Sequence, residues 1–202
     1  MNKMHEIAND PFYEILKVYE DCVIDYCLLQ CDTPCQGVES HRRALEFSIQ
    51  NIQASEADYY ELKYDVDQAK AVRIEAETLL YVPKLLRRDY NGTPFYDCEW
   101  ECQNTGDKIP YWYAFLEPPH GASFGYVKNH RYIKKRDYEP EDFQKLNQVL
   151  FPNGSDTLEV YEWSTDWTNY FDDGHEWWGA SCWTVYDKSL DRFVVIMASA
   201  TD

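Results

Sequence analysis

The spacing of apolar residues changes close to residue 90, and this change limits the folds that the chain can adopt. Before it, apolar residues recur every three or four positions, which is the period of an α-helix. After it, Tyr96, Cys98, Trp100 and Cys102 alternate with polar residues, as in a strand with one buried face. Helices followed by mostly antiparallel strands are typical of an α+β domain. We therefore predict an α+β fold in which N-terminal helices pack on a mainly antiparallel sheet formed by the C-terminal half.

The same periodicity predicts individual elements. Helices are expected at 12–27, around 45–52, at 59–80 and at 141–150. Asp10 and Pro11 form a typical cap and first-turn pair for the first helix. Strands are expected at 96–102, 111–116, 157–163, 182–186 and 193–198, the last two as a closing hairpin. With 202 residues, the chain has the size of one domain, residues 1–202, with a helical part at about 1–90 and a sheet-rich part at about 91–202.

The charge of the chain restricts its partners. Lysine and arginine total 19 against 36 aspartate and glutamate residues, which gives a formal net charge of −17. Such a chain repels phosphate backbones and anionic membranes and attracts basic proteins, so we expect a basic protein partner and no nucleic acid or membrane binding. The first residues lack the apolar stretch of a secretion signal, and seven cysteines cannot all pair within one chain. These features favour a cytoplasmic protein.

Sequence motifs for catalysis and cofactor binding are missing. The chain has no nucleotide-binding glycine loop, no G-x-S-x-G motif and no histidine pair with metal-ligand spacing. Two C-x₃-C pairs, Cys31/Cys35 and Cys98/Cys102, could supply four thiolates to zinc. On the predicted strand, however, Cys98 and Cys102 lie about 13 Å apart, which is too far for one ion. We therefore predict no enzyme activity, no cofactor, no metal and buried structural cysteines.

One segment near the C-terminus combines acidic and aromatic residues. No lysine or arginine occurs between Lys145 and Lys188, whereas carboxylates and large rings are frequent there. The segment is expected to be a long structured loop or short helix between two strands, and such loops are often functional. The rings could close the end of the sheet, anchor a protein partner, or stack on sugars. The residues that we predict to bind a partner here are Glu162, Asp166, Trp167, Tyr170, Asp172, Asp173 and Glu176.

A second acidic and aromatic cluster lies on the predicted helix 59–80. Tyr60 and Tyr64 are one helical turn apart, and Glu61 stands beside them on the face away from the apolar stripe. Tyrosine next to carboxylate is a favourable composition for binding, because the ring buries a large area with few rotatable bonds. We add Tyr60, Glu61 and Tyr64 to the predicted partner-binding residues, with ordinary surface tyrosine as the alternative.

The whole pattern resembles the bacterial immunity proteins that neutralise polymorphic or contact-dependent toxins. The similarity rests on the small size, the acidity, the lack of catalytic motifs, the segment 163–179 and the closing sequence 194–202, VVIMASATD. This resemblance implies tight binding to a cognate toxin, often basic and often a nuclease. The alternative is a carbohydrate-active enzyme or saccharide-binding protein that uses 162–179, with Asp166 and Glu176 as an acid and base pair.

Overall fold

A computed structural model describes most of the chain. The described residues are 3–19, 22–56, 61–90, 92–99, 108–118, 124–126, 132–134, 138–176 and 178–199, with only the backbone given for 53–56, 124–126 and 132–134. The strands are β1 (Met4–Glu6), β2 (Ile24–Cys31), β3 (Ala71–Ile74), β4 (Leu85–Arg88), β5 (Pro94–Tyr96), β6 (Phe124–Tyr126), β7 (Tyr132–Lys134), β8 (Leu158–Trp163), β9 (Ala180–Asp187) and β10 (Arg192–Ser199). The helices are α1 (Pro11–Leu16), α2 (Val38–Glu56), α3 (Ala76–Leu79), α4 (Tyr111–Leu116), α5 (Pro140–Leu150) and α6 (Asp172–Glu176).

A six-stranded sheet organises the molecule. Its order is β1-β2-β10-β9-β8-β3, and every neighbouring pair is antiparallel. The α+β class is therefore confirmed. The prediction that the C-terminal half alone forms the sheet is wrong, because β1, β2 and β3 come from the first half of the chain. Strand β2 pairs with β10 from Ile24 to Leu29, so the N-terminal half supplies an interior strand of the sheet.

Several of the longer elements agree with the prediction. Helices α2 and α5, strand β8 and the β9–β10 hairpin lie where the periodicity places them. Asp10 also caps α1 as expected, because its side chain accepts a hydrogen bond from the Phe12 N–H at 2.9 Å. None of the helices among the described residues combines the length and the apolar character needed to cross a membrane.

The predicted helix 12–27 is wrong beyond residue 16. Helix α1 ends at Leu16, and the chain then forms β2 from Ile24. Strand β2 is buried on both sides, with Leu28 in one hydrophobic cluster and Leu29 in the other. A continuous apolar run of this kind fits a buried helix and a buried strand equally well, so its period does not distinguish them.

Two further predictions are corrected. Residues 59–80 do not form one helix: 61–65 are irregular apart from a β-bridge at Tyr64, Val66–Gln68 form a 3₁₀ turn, and β3 and α3 follow. Residues 111–116 form α4 instead of a strand, with five of its six side chains buried. Short apolar segments take the structure that their neighbours impose. Of the predicted strand 96–102, Tyr96 ends β5 and residues 100–102 lie outside the described part.

Both faces of the sheet are covered. On one face, α1, α4 and α5 bury Phe12, Phe115 and Phe143 against the sheet. On the other, α2 packs with Leu45 and Ile49, together with the segment that follows β8. This second hydrophobic cluster includes Trp163, Trp167 and Phe171, which anchor the segment that follows β8.

Candidate functional site

The structure joins the two acidic segments that the sequence singles out. Tyr64 and Thr168 form an antiparallel bridge, and the Asp65 N–H donates to the Trp167 carbonyl at 2.8 Å. Asn169 completes the link. Its Oδ1 accepts from the Lys63 N–H at 2.7 Å, and its Nδ2 donates to the Glu61 carbonyl at 3.2 Å. Residues about a hundred positions apart in sequence therefore lie side by side.

We call the exposed carboxylates of these two segments the acidic surface. Its members are Glu61, Asp65, Asp67, Asp166, Asp172, Asp173 and Glu176. Lys70 lies 3.8 Å from Asp166, and Lys63 is exposed beside Glu61. Among the described residues, Glu61, Asp172, Asp173 and Glu176 have no ion pair, so their charge is open to a partner.

Helix α6 presents three of these carboxylates, and Gly174 fixes its position. The Gly174 N–H donates to Ser199 Oγ at 3.1 Å, and its carbonyl accepts from the Gly179 N–H at 2.7 Å. A Cβ atom at residue 174 would lie 2.3 Å from the Gly179 carbonyl oxygen, so only glycine allows this approach. Asp172, Asp173 and Glu176 consequently point to solvent from a helix that is held against the end of β10.

Trp167 does not belong to the surface. Its side chain is 3% exposed and packs in the cluster that contains Phe171. The predicted role of this ring as an anchor is corrected, since it fastens the segment to the core instead. Acidic and aromatic residues alternate here because the rings face inward while the carboxylates face outward, an arrangement that composition alone does not reveal.

The tyrosines occupy intermediate positions. Tyr170 is half-buried, contacts the Phe171 ring at 4.8 Å and donates its hydroxyl to Asp25 Oδ2 at 2.6 Å. Tyr64 is also half-buried, but it lies in a β-bridge within the irregular segment 61–65 and not on a helix. Tyr60, predicted one helical turn before it, lies outside the described residues.

Glu162 is separated from the other predicted residues. It follows Tyr161 and precedes Trp163 in β8, so its side chain points to the opposite face of the sheet. There its carboxylate lies 3.1 Å from Lys108 Nζ. Glu162 belongs to the same acidic segment of the sequence, but it is not part of the acidic surface, because successive side chains of a strand point to opposite faces of the sheet.

The neighbours of the acidic surface affect the charge of Asp166 and hold the backbone of residues 66–69. A hydrogen bond from the Ser164 side chain and the nearby Lys70 ammonium hold the pKa of the Asp166 carboxyl below its usual value. Arg42, which reaches from α2, donates to the Ala69 carbonyl at 3.0 Å and also to the Val66 carbonyl.

A shallow groove of about 350 Å³ runs beside these groups; it is lined by Glu39, Arg42, Arg43, Glu46, Tyr64, Asp65, Val66 and Asp67. The groove adjoins the acidic surface through Tyr64, Asp65 and Asp67.

The burial of four tryptophan rings argues against the alternative function, in which tryptophans of this chain stack on sugars. Trp163, Trp167, Trp178 and Trp183 are each at most 4% exposed. A ring that stacks on a sugar must offer a face to solvent, and these four offer none. Trp177 lies outside the described residues.

One cluster of potential metal ligands is not predicted from the sequence. Cys35, His41 and Glu159 place a sulfur, a ring nitrogen and a carboxylate oxygen within 4.8 Å of one another. No spacing rule indicates it, because Glu159 comes from a strand more than a hundred residues later. The predicted C-x₃-C pairs do not meet: Cys35 packs on one face of the sheet and Cys98 on the other, and Cys102 is outside the described part.

Comparisons of this chain with protein-family models, with curated proteins and with solved structures found no match.

Proposed function

We propose that this protein is an acidic inhibitor that neutralises a basic toxin by direct protein–protein contact through the acidic surface. The observation that carries the proposal is the hydrogen-bonded junction between residues 61–65 and 167–169. It brings the segment that carries Glu61 and Asp65 next to the segment that continues into α6, which carries Asp172, Asp173 and Glu176. The resemblance to immunity proteins supports the same function, and an inhibitor of this class would act in the cytoplasm.

The charge of this surface suits rapid recognition. Opposite charges on two proteins raise the association rate, to about 10⁸ M⁻¹s⁻¹ in favourable cases at low salt. The carboxylates of Asp172, Asp173 and Glu176 are exposed on a helix that is fastened at Gly174. Because the supporting backbone is held by hydrogen bonds, little ordering is required when the partner binds.

Binding energy would then come from a few partly buried rings. Tyr64 and Tyr170 each expose part of an aromatic side chain beside carboxylates, a composition found at energetically dominant interface positions. Tyr64 also lines the groove next to α2, which could admit one side chain of the partner. Trp167 and Glu162 have no part in this surface, because one is in the core and the other is across the sheet.

The first experiment identifies the partner. The immobilised protein is used to capture the product of the adjacent upstream gene, at low salt and again at about 0.5 M salt, where surface attraction is strongly screened. We expect one stoichiometric basic protein that remains bound at high salt and whose toxicity this chain suppresses. Capture of only a salt-labile mixture of basic proteins would contradict the proposal.

Charge reversal then tests the surface itself. With the captured protein, Asp172→Lys combined with Asp173→Lys should lower the association rate constant by about tenfold or more at low salt. The matched control combines Glu75→Lys with Asp156→Lys, which makes the same change of net charge at exposed carboxylates near the other end of β8. Equal association rates for the two double variants would exclude α6 from the binding surface.

A further inference from the structure

Three side chains from separate elements converge beneath the first turn of α2. Cys35 lies in the loop before this helix, His41 lies in its first turn, and Glu159 lies in β8. His41 is fully buried, Glu159 is 15% exposed and Cys35 is half-buried. Their Sγ, ring nitrogen and carboxylate oxygen all lie within 4.8 Å of one another, and His41 Nε2 is 3.6 Å from Glu159 Oε1.

The two nitrogens of His41 have different surroundings. Nδ1 lies 2.8 Å from Thr184 Oγ1, and the same hydroxyl accepts from Trp163 Nε1 at 2.8 Å. Nε2 has no hydrogen-bond partner among the described residues, although it is completely buried. A buried polar nitrogen without a partner is unfavourable by about 1–3 kcal/mol, so such an atom calls for an explanation.

The arrangement does not fit a cysteine nucleophile that is activated by a histidine and an acid. In such a relay, one ring nitrogen faces the nucleophile and the other faces the acid. Here Nε2 faces the Glu159 carboxylate at 3.6 Å and Nδ1 is engaged by Thr184, so neither nitrogen is left to take the proton of the sulfur, which lies within 4.8 Å of the ring. Groups that converge on one point are typical of ligands around a central ion.

We propose that Cys35, His41 and Glu159 bind Zn²⁺, with a fourth position left for water. One sulfur, one nitrogen and one oxygen donor form a set that zinc prefers, and three protein ligands leave an open coordination position. The 3.6 Å between Nε2 and Oε1 is close to the roughly 3.3–3.6 Å that tetrahedral zinc imposes between two ligands. Thr184 would orient the ring through Nδ1, as second partners of metal-bound histidines do.

Cobalt(II) spectroscopy tests the site without reference to any activity. The protein is dialysed against a chelator and titrated with Co²⁺, which gives a thiolate-to-metal charge-transfer band when it binds to cysteine in a tetrahedral site. We expect this band to saturate at one Co²⁺ per chain and to disappear when one equivalent of Zn²⁺ is added. Failure to form the band would overturn the proposal.

Variants assign the ligands. Cys35→Ser should abolish the band, and Glu159→Gln should weaken Zn²⁺ binding at least about tenfold, as loss of one of three protein ligands requires. Cys31→Ser is the matched control, because Cys31 is a half-buried cysteine close in sequence that does not belong to the cluster. An unchanged band in Cys35→Ser, or an equal loss in Cys31→Ser, would refute this ligand assignment.

A second measurement uses only the natural sequence. Bound Zn²⁺ should protect Cys35 from alkylation, as located by peptide mass spectrometry, and should raise the melting temperature of the natural protein. Alkylation of Cys35 at the same rate with and without Zn²⁺ would count against the site even if a variant failed to fold.

Discussion

At the scale of single residues, His41 is a titratable group whose environment differs strongly from water. The imidazole is fully buried between Tyr161 and Phe193, whose rings lie 4.7 and 5.2 Å from it. Its surroundings disfavour the charged ring, because burial removes the water that would solvate it. The hydrogen bond with the Thr184 backbone opposes this lowering of the His41 pKa, and the guanidinium of Arg73 adds to it.

This environment predicts a pH dependence of stability. His41 titrates at about 3 in the folded protein and at 6.5 in the unfolded chain, so unfolding takes up a proton between these pH values. The free energy of unfolding therefore falls as the pH drops below 6.5. Between pH 7 and 5.5, the free energy of unfolding of the natural protein should fall by about 1 kcal/mol more than that of His41→Gln, because glutamine does not take up a proton on unfolding.

The measurement is urea denaturation at several pH values, with a chelator present so that bound metal does not contribute. The reference for the other titrating groups is His41→Gln itself, since it retains all of them. Parallel pH profiles for the two proteins would show that His41 is not held neutral by burial.

At the scale of elements, the segment 61–69 depends on contacts with distant parts of the chain. Apart from the 3₁₀ turn Val66–Gln68, it has no helical hydrogen bonds of its own, and its backbone groups pair with residues 167–169 and with Arg42. This explains why its apolar spacing predicts a helix that does not form. Leu62, Val66 and Ala69 are buried as the pattern indicates, but they are buried from an irregular segment.

Asn169→Ala should weaken the attachment of the segment 61–69 to residues 167–169. The substitution removes the acceptor of the Lys63 N–H and the donor to the Glu61 carbonyl. We expect a loss of about 1–2 kcal/mol in the free energy of unfolding, from two side-chain hydrogen bonds near the surface. Amide hydrogen exchange at Lys63 should accelerate much more than exchange in β9 or β10.

Asn153→Ala serves as the control, because the Asn153 side chain donates to Ser189 in a different loop. It should leave exchange at Lys63 unchanged. Similar exchange at Lys63 in both variants would mean that the junction does not depend on the Asn169 side chain.

At the scale of the whole molecule, the two halves of the chain are interleaved. Strand β2 lies between β1 and β10, and β3 pairs with β8 at the opposite edge. Helix α2 from the first half covers the face that carries Trp163 and Phe193. Neither half can close the core alone, although the sequence divides into helical and alternating parts near residue 90.

A fragment of residues 91–202 should therefore fail to fold. Without β2, the edge of β10 would expose unpaired backbone groups, and without α2 one face of the sheet would be bare. Far-UV circular dichroism and urea titration should show no cooperative transition for the fragment. The full chain, measured in parallel, should unfold in one transition, and a cooperative transition in the fragment would contradict this interdependence.

The spacing of apolar residues predicts the strongly periodic helices and the closing hairpin, and it fails where consecutive side chains are buried on every side. In α2 and α5 the apolar stripe is long enough to define a helical face, and the β9–β10 hairpin has two apolar strands around a polar turn. Strand β2 buries the consecutive residues Tyr26–Leu29, and helix α4 buries five of its six side chains. For such runs the choice between helix and strand depends on the hydrogen bonds that the surrounding elements offer.

The sequence by itself determined the α+β class, the charge of −17 and the two segments in which acids and rings alternate. These properties follow from composition and local periodicity. Only the tertiary structure decided that residues 61–65 and 167–169 adjoin, that Trp167 turns inward, and that Cys35, His41 and Glu159 converge. The physical reason is that each of these arrangements joins residues from separate elements. Their meeting depends on strand order and packing, which no local spacing encodes.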